Sequence, residues 1–175
     1  MISDYLKKYS TYYLSRYSVT KKKFEDILKK KITKDFLEKK ISKTESDEYK
    51  SEIRDTIKYF SDIGCFNEKN LMEARFNYFV KKGYSKKRIK LKMLSFKFDD
   101  ENIKQFLSEK FGDEKLDQIL LKNFIYKSRI IEKQKKLKIS ERQLFDKIIR
   151  KLIQQGFNYE DSIKLLREII SDGNF

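Results

Sequence analysis

The sequence has no proline, no histidine and no tryptophan, and only five glycines and one cysteine among 175 residues. Each of these gaps excludes something. Without proline, and with so little glycine, the strongest helix breakers are gone. A β-rich or α/β fold would need many glycine-containing turns, so the composition points to an all-α fold. Without histidine there is no His-based zinc site, no imidazole general base and no Ser–His triad. One thiol, Cys65, makes neither an internal disulfide nor a metal site, and its place before Phe66 at a helix junction suggests a small core residue. No glycine-rich phosphate loop occurs. The first residues, Met1-Ile2-Ser3-Asp4-Tyr5-Leu6, form no apolar leader, and no stretch approaches membrane-spanning length. The expectation is a cytoplasmic, non-enzymatic protein without cofactor or metal, in a reducing compartment.

What the chain does contain is apolar mass and positive charge. Apolar residues make up 39 % of it, enough for a real core. Its 42 basic and 27 acidic residues leave a net charge of +15. Such a surplus favours a polyanionic partner, nucleic acid or a nucleoprotein. A lysine-rich, AT-biased genome would produce part of the same excess without any function, so the count does not decide between the two.

Helix signals recur along the chain. Ser3 or Asp4 opens a first helix carrying Leu6, Tyr9, Tyr13 and Leu14, and Thr20 caps a second with Phe24, Ile27, Leu28 and Ile32 on one stripe. The polar run 42–47 reads as a loop or a helix restart. It is followed by Tyr49, Ile53, Ile57 and Phe60 at helical spacing, closing at Gly64. Asn67 caps a helix with Met72, Phe76, Phe79 and Val80 that ends at Gly83. Ser85 opens one with Ile89, Met93 and Phe96, and Asp99 one with Ile103, Phe106, Leu107 and Phe111 that ends at Gly112. The last group starts at Asp113, with Leu116, Ile119, Leu120 and Phe124. A basic connector over 132–138 leads to a capping box at Ser140-Glu141-Arg142-Gln143. That helix ends at Gly156 and hands over to a final one with Ile163, Leu166 and Ile170.

The pattern predicts nine helices in three groups of three, over 1–66, 67–112 and 113–175. Two internal echoes support a repeat. Ser85-Lys86-Lys87-Arg88-Ile89 is similar to Ser140-Glu141-Arg142-Gln143-Leu144, and Phe98 to Ile103 is similar to Phe157 to Ile163 apart from one extra residue. Stacked helical modules would explain both; a compact bundle with chance similarities is the alternative.

Catalytic candidates are few. Asp99-Asp100-Glu101 and Glu160-Asp161 sit at helix starts, where carboxylates complement the helix dipole. The stronger signal is basic. Between Ala74 and Phe98 there is no acidic residue, while Arg75, Lys81, Lys82, Lys86, Lys87, Arg88, Lys90, Lys92 and Lys97 all occur. With Ile89, Met93 and Phe96 facing a core, Lys86, Lys87, Lys90 and Lys97 should face solvent. Like charges so close repel, and a surface for phosphates or carboxylates would account for them; a solvated lysine face is the plainer reading. The basic run 127–138 is weaker, interrupted by Glu132. Tyr12, Tyr13, Tyr78 and Tyr84 offer stacking faces for bases, although tyrosines at helical spacing more commonly edge a core.

Two runs in this region carry a resemblance. Ile63-Gly64-Cys65-Phe66-Asn67-Glu68-Lys69-Asn70-Leu71-Met72-Glu73-Ala74-Arg75-Phe76, followed by Lys82-Gly83-Tyr84-Ser85-Lys86-Lys87-Arg88-Ile89-Lys90, resembles the central motif of the RecX regulatory proteins. Thr20 to Leu28 and Leu152 to Phe157 resemble that family's first- and third-unit segments. The chain departs from the pattern at Asn67-Glu68-Lys69-Asn70, where a tighter acidic pair is common, and at Ser95-Phe96-Lys97-Phe98, where a Lys–Gly–aliphatic turn is usual. The resemblance implies tandem three-helix repeats in an elongated, curved array. It implies a modulator, and in the first instance an inhibitor, of the RecA recombinase, lying along the RecA–DNA filament. The partners would be the RecA filament and single-stranded DNA, with double-stranded DNA as a further one, and the protein would act as a monomer. The other reading is a general DNA- or RNA-binding helical protein. On either reading the nine basic residues above are the candidate binding residues, through contacts of little sequence specificity.

Overall fold

The computed structural model describes residues 2–112, 115–135 and 140–171. Among them all regular structure is helical, and no helix is long and apolar enough to cross a membrane. The helices are α1 (Asp4–Leu14), α2 (Lys21–Leu37), α3 (Lys43–Asp62), α4 (Glu68–Lys81), α5 (Lys86–Ser95), α6 (Asp100–Lys110), α7 (Lys115–Ser128), α8 (Ile130–Lys135), α9 (Glu141–Gln154) and α10 (Tyr159–Ser171). The tenth element arises where the sequence suggests only a connector. Arg129 takes a left-handed conformation, φ 48°, which ends α7 and lets Ile130, buried at 4 % exposure, start α8. Asp113 and residues 136–138, expected to open the last group and to complete the basic connector, lie outside the described residues.

The expected caps are in place. Thr20 Oγ1 accepts the Lys23 N–H at 3.1 Å, Asn67 Oδ1 the Asn70 N–H at 3.0 Å and Ser85 Oγ the Arg88 N–H at 3.2 Å. The run 42–47 is a helix restart: Ser42 and Glu45 form a reciprocal capping box at the head of α3, as Ser140 and Gln143 do for α9. Ser3 departs from the pattern, since its hydroxyl makes no cap bond and is buried without a partner.

Helix ends follow one physical rule. Gly64, Gly83 and Gly156 have φ of 79°, 72° and 88°. Each is followed by a six-to-one bond, from Cys65, Tyr84 and Phe157 N–H to Phe60, Phe79 and Leu152 C=O. This left-handed termination suits glycine because no Cβ meets the carbonyl. Lys97 takes φ 63° without being glycine. Gly83-Tyr84-Ser85, Lys97-Phe98-Asp99 and Gly156-Phe157-Asn158 are thus three connectors of one kind: a left-handed residue, an aromatic, then a cap. Cys65 differs from its expected core role. It sits in such a turn, and its thiol is exposed.

The chain forms two compact units. The first is Met1–Glu73 with Phe96–Phe98; the second is Ala74–Ser95 with Asp99–Phe175. In the first, α3 packs on α1 and α2 around Leu6, Phe24, Leu28, Ile32 and Ile53. The residues that follow α5 join this unit through the Thr20 hydroxyl, which donates to the Phe96 carbonyl at 2.9 Å, and through Lys97, which pairs with Asp26 at 3.5 Å. Asp35 is buried there, hydrogen-bonded by the Tyr5 hydroxyl at 2.6 Å and by Lys31 at 2.9 Å. Burial alone would raise the Asp35 carboxyl. The bonds from Lys31 and Tyr5, with the charges of Lys31 and Lys40, outweigh it and hold the group below the ordinary carboxylate range. The Tyr5 hydroxyl moves up, through burial and then through that same carboxylate.

In the second unit α5 packs on α6, and α7, α8, α9 and α10 pack on one another. Phe76 meets Phe106 and Phe111 edge-on at 5.4 and 5.9 Å, and Ile89, Met93, Ile148, Leu152 and Leu166 are fully buried.

Candidate functional site

The basic segment reaches its geometry through the way α5 begins. Ser85 is fully buried, and its hydroxyl does two things. It caps α5, and it donates to the Gln155 carbonyl, 2.8 Å away, at the end of α9. From α7, the Asp117 carboxylate accepts the Lys86 N–H at 2.9 Å. Two orphan donors of the first turn are thereby satisfied, the Arg88 N–H by the local Ser85 cap and the Lys86 N–H from α7. Burial pushes the Asp117 carboxyl up. The Lys86 N–H and charge partly offset that rise, and nearby Asp161 adds to it.

Close approach of α5 and α9 requires Gly156. A Cβ built there would lie 2.7 Å from Ser85 Oγ and 3.5 Å from Lys87 Cβ. The result is an open groove of about 520 Å³. Lys87, Arg88, Leu91, Lys92 and Ser95 of α5 form one wall, and residues 153–156 at the end of α9 form the other. A second hollow, about 420 Å³, shares Lys87, Ile153 and Gly156 and continues past Lys86 and Asp117. Three cations therefore line the groove, without a carboxylate among its lining residues.

The nine candidate cations are not equivalent. Lys87 and Lys92 are exposed and form no ion pair among the described residues. Lys86 is exposed too, its ammonium 5.3 Å from the Phe111 ring centre. Arg88 is half-buried, laid over the Tyr84 ring at 4.2 Å. Lys81 ends α4 and Lys82 follows it, both exposed, and Lys82 lies 5.6 Å from the Tyr78 ring centre. Arg75, on α4, is half-buried and is not free of partners. Lys90, expected to face solvent, is half-buried and pairs with Asp100 at 3.6 Å. Lys97 is exposed and belongs to the first unit, with Asp26. The groove thus gathers Lys87, Arg88 and Lys92, with Lys86 beside them.

The wall from α9 was not visible in the sequence. Ile153 and Gln154 lie 58 and 59 residues beyond Ser95, the end of α5, and no local pattern links them to it. The only sequence signal was the echo between the starts of α5 and α9, which concerns helix caps and not their contact. A further hollow of about 360 Å³ lies between α7 and α10, but there Asp161 and Glu168 offset Lys122 and Lys164.

No family model, curated protein or solved structure matches the chain.

Proposed function

We propose that the protein is a non-enzymatic regulator that docks on a RecA–DNA filament through the α5 groove and restrains the filament's activity. The observation that carries this reading is the gathering of Lys87, Arg88 and Lys92 on one groove that no carboxylate lines. Lys87 and Lys92 form no ion pair among the described residues. A compositional bias toward lysine accounts for the number of cations and not for this placement. Exposed, unpaired cations held in one groove suit an anionic partner. The resemblance of the segment from Ile63 to Lys90 to the central RecX motif selects the RecA filament among such partners. The three like connectors favour an origin in repeated three-helix modules over 1–66, 67–112 and 113–175, arranged as a curved array. A cytoplasmic monomer is the form in which such a regulator would act.

The test is binding to RecA filaments and to bare single-stranded DNA across a salt series. The double variant Lys87→Glu/Lys92→Glu should lose about tenfold or more in filament affinity at low salt, with unchanged helicity by circular dichroism. The wild-type chain should suppress RecA ATPase well below the concentration at which it coats DNA. If inhibition only tracks DNA coverage and disappears with competitor DNA, the protein is a general nucleic-acid binder and the RecA reading fails.

A further inference from the structure

The groove carries more than charge. Leu91 is 60 % exposed and Ile153 39 % exposed, and both line it between the cations. On α5, Lys87, Leu91 and Ser95 are spaced i, i+4 and i+8 along one ridge, while Arg88 and Lys92 form the next. The exposed Leu91 is therefore set between Lys87 on its own ridge and Arg88 and Lys92 on the next. Ile153 lines both hollows, so the apolar floor continues toward Lys86.

We infer that this groove receives an acidic protein segment bearing an apolar side chain, in preference to a nucleic-acid backbone. The inference rests on the site proposed above and names the class of partner it takes. A phosphate track gains from cations and N–H donors, and nothing from an exposed leucine. Sites for single strands add aromatic faces on which bases stack, but no aromatic residue lines the main groove. Tyr84, just before α5, already has the Arg88 guanidinium over its face. Carboxylates spaced around an apolar anchor match the arrangement on both counts. The anchor covers Leu91 and Ile153, and the acids meet Lys87, Arg88 and Lys92, as in helix-in-groove recognition.

The experiment uses the full chain and three fluorescein-labelled probes. The first is a peptide of about twelve residues rich in Asp and Glu, with two leucines spaced i, i+4. The second is the same peptide with serines in place of leucines, and the third is oligothymidylate. The leucine peptide should bind about tenfold more tightly than the serine peptide. Leu91→Ser, at an exposed position, should erase that difference and leave oligothymidylate affinity unchanged. Equal binding of the two peptides, or an equal loss for oligothymidylate, overturns the inference. RecA-filament binding by the same variants separates the two readings. If Lys87→Glu/Lys92→Glu weakens docking but Leu91→Ser does not, only the acidic-segment inference falls. If neither variant weakens it, the groove is not the docking site.

Discussion

The two units are made from similar residues and spend their charges differently. In the first, the hollow lined by Lys29, Lys30 and Lys34 also holds Glu38, and a buried carboxylate, Asp35, is tied to Tyr5 and Lys31. In the second, the described ion pairs gather at Asp100 and Glu101, beside Lys90 and Lys104, and the groove of α5 and α9 gathers Lys87, Arg88 and Lys92 with no carboxylate among its lining residues. Surface pairs contribute little to stability, so their absence from the groove costs the fold little. Net charge is thus a poor guide to where a basic chain binds. The location of unpaired cations on a shaped surface is the better one.

The comparison can be broken first at its glycines. Gly64 of the first unit has nothing within 4 Å of a built Cβ, whereas at Gly156 that atom meets Ser85 Oγ at 2.7 Å. Both have positive φ, so alanine strains either backbone, but only Gly156→Ala also breaks the contact between α5 and α9. Gly156→Ala should lose about 3 kcal/mol and Gly64→Ala about 1 kcal/mol in denaturant titrations. Hydrogen exchange should rise in peptides of α5 and α9 for the former alone. Equal losses would mean that the close approach at Gly156 has no energetic weight.

Next comes Asp35→Ala, which strands Lys31 and the Tyr5 hydroxyl around a former carboxylate and should destabilise the first unit by about 2 kcal/mol. Exchange in α1 and α2 would report it, and a loss within error would reclassify the network as incidental.

A smaller and more telling test is the pH response, because the two carboxylates shift in opposite directions. Asp35 is depressed, so its contribution is present above the ordinary carboxylate pKa and is lost as pH falls through its lower folded value. Asp117 is raised, so its contribution is complete below the ordinary value and is lost as pH rises through the higher folded one. Above the ordinary carboxylate pKa, Asp117→Asn should flatten a decline in the stability of the second unit with rising pH. Asp35→Asn should act only at lower pH, flattening the acid loss of the first unit. The same sign of response in both units would contradict the opposed environments.

The smallest effect is expected at Lys97→Gly. Relief of the left-handed backbone at φ 63° is worth up to about 1 kcal/mol, and the exposed pair with Asp26 removes part of that. A net gain of about 0.5 kcal/mol in denaturant midpoint analysis is the expected outcome. A loss would show the Lys97–Asp26 pair to matter more than the strain.

Most of the helix starts and stops were legible because their causes are local. Thr20, Ser42, Asn67, Ser85, Asp99 and Ser140 act on donors two or three residues on, and a glycine ends a helix through bonds spanning one turn. Where a local signal lacked its usual residue, the sequence misled or fell silent. Lys97 performs a glycine's role because Thr20 and Asp26 hold its loop, and Arg129 breaks the chain between α7 and α8 without any breaker residue. Cys65 was misplaced because burial is decided by neighbours outside the turn.

For the basic segment, the sequence by itself determined the run of cations from Arg75 to Lys97, the helix that carries most of them, and the cap at Ser85. The tertiary structure decided which of them could act together. Lys90 is drawn to Asp100 and Lys97 to Asp26, while Lys87, Arg88 and Lys92 are set against the end of α9 by the Ser85–Gln155 hydrogen bond across seventy residues. A charge is written in the sequence. Its partners are whatever the packing of distant helices brings within a few ångströms, and that distance has no local signature.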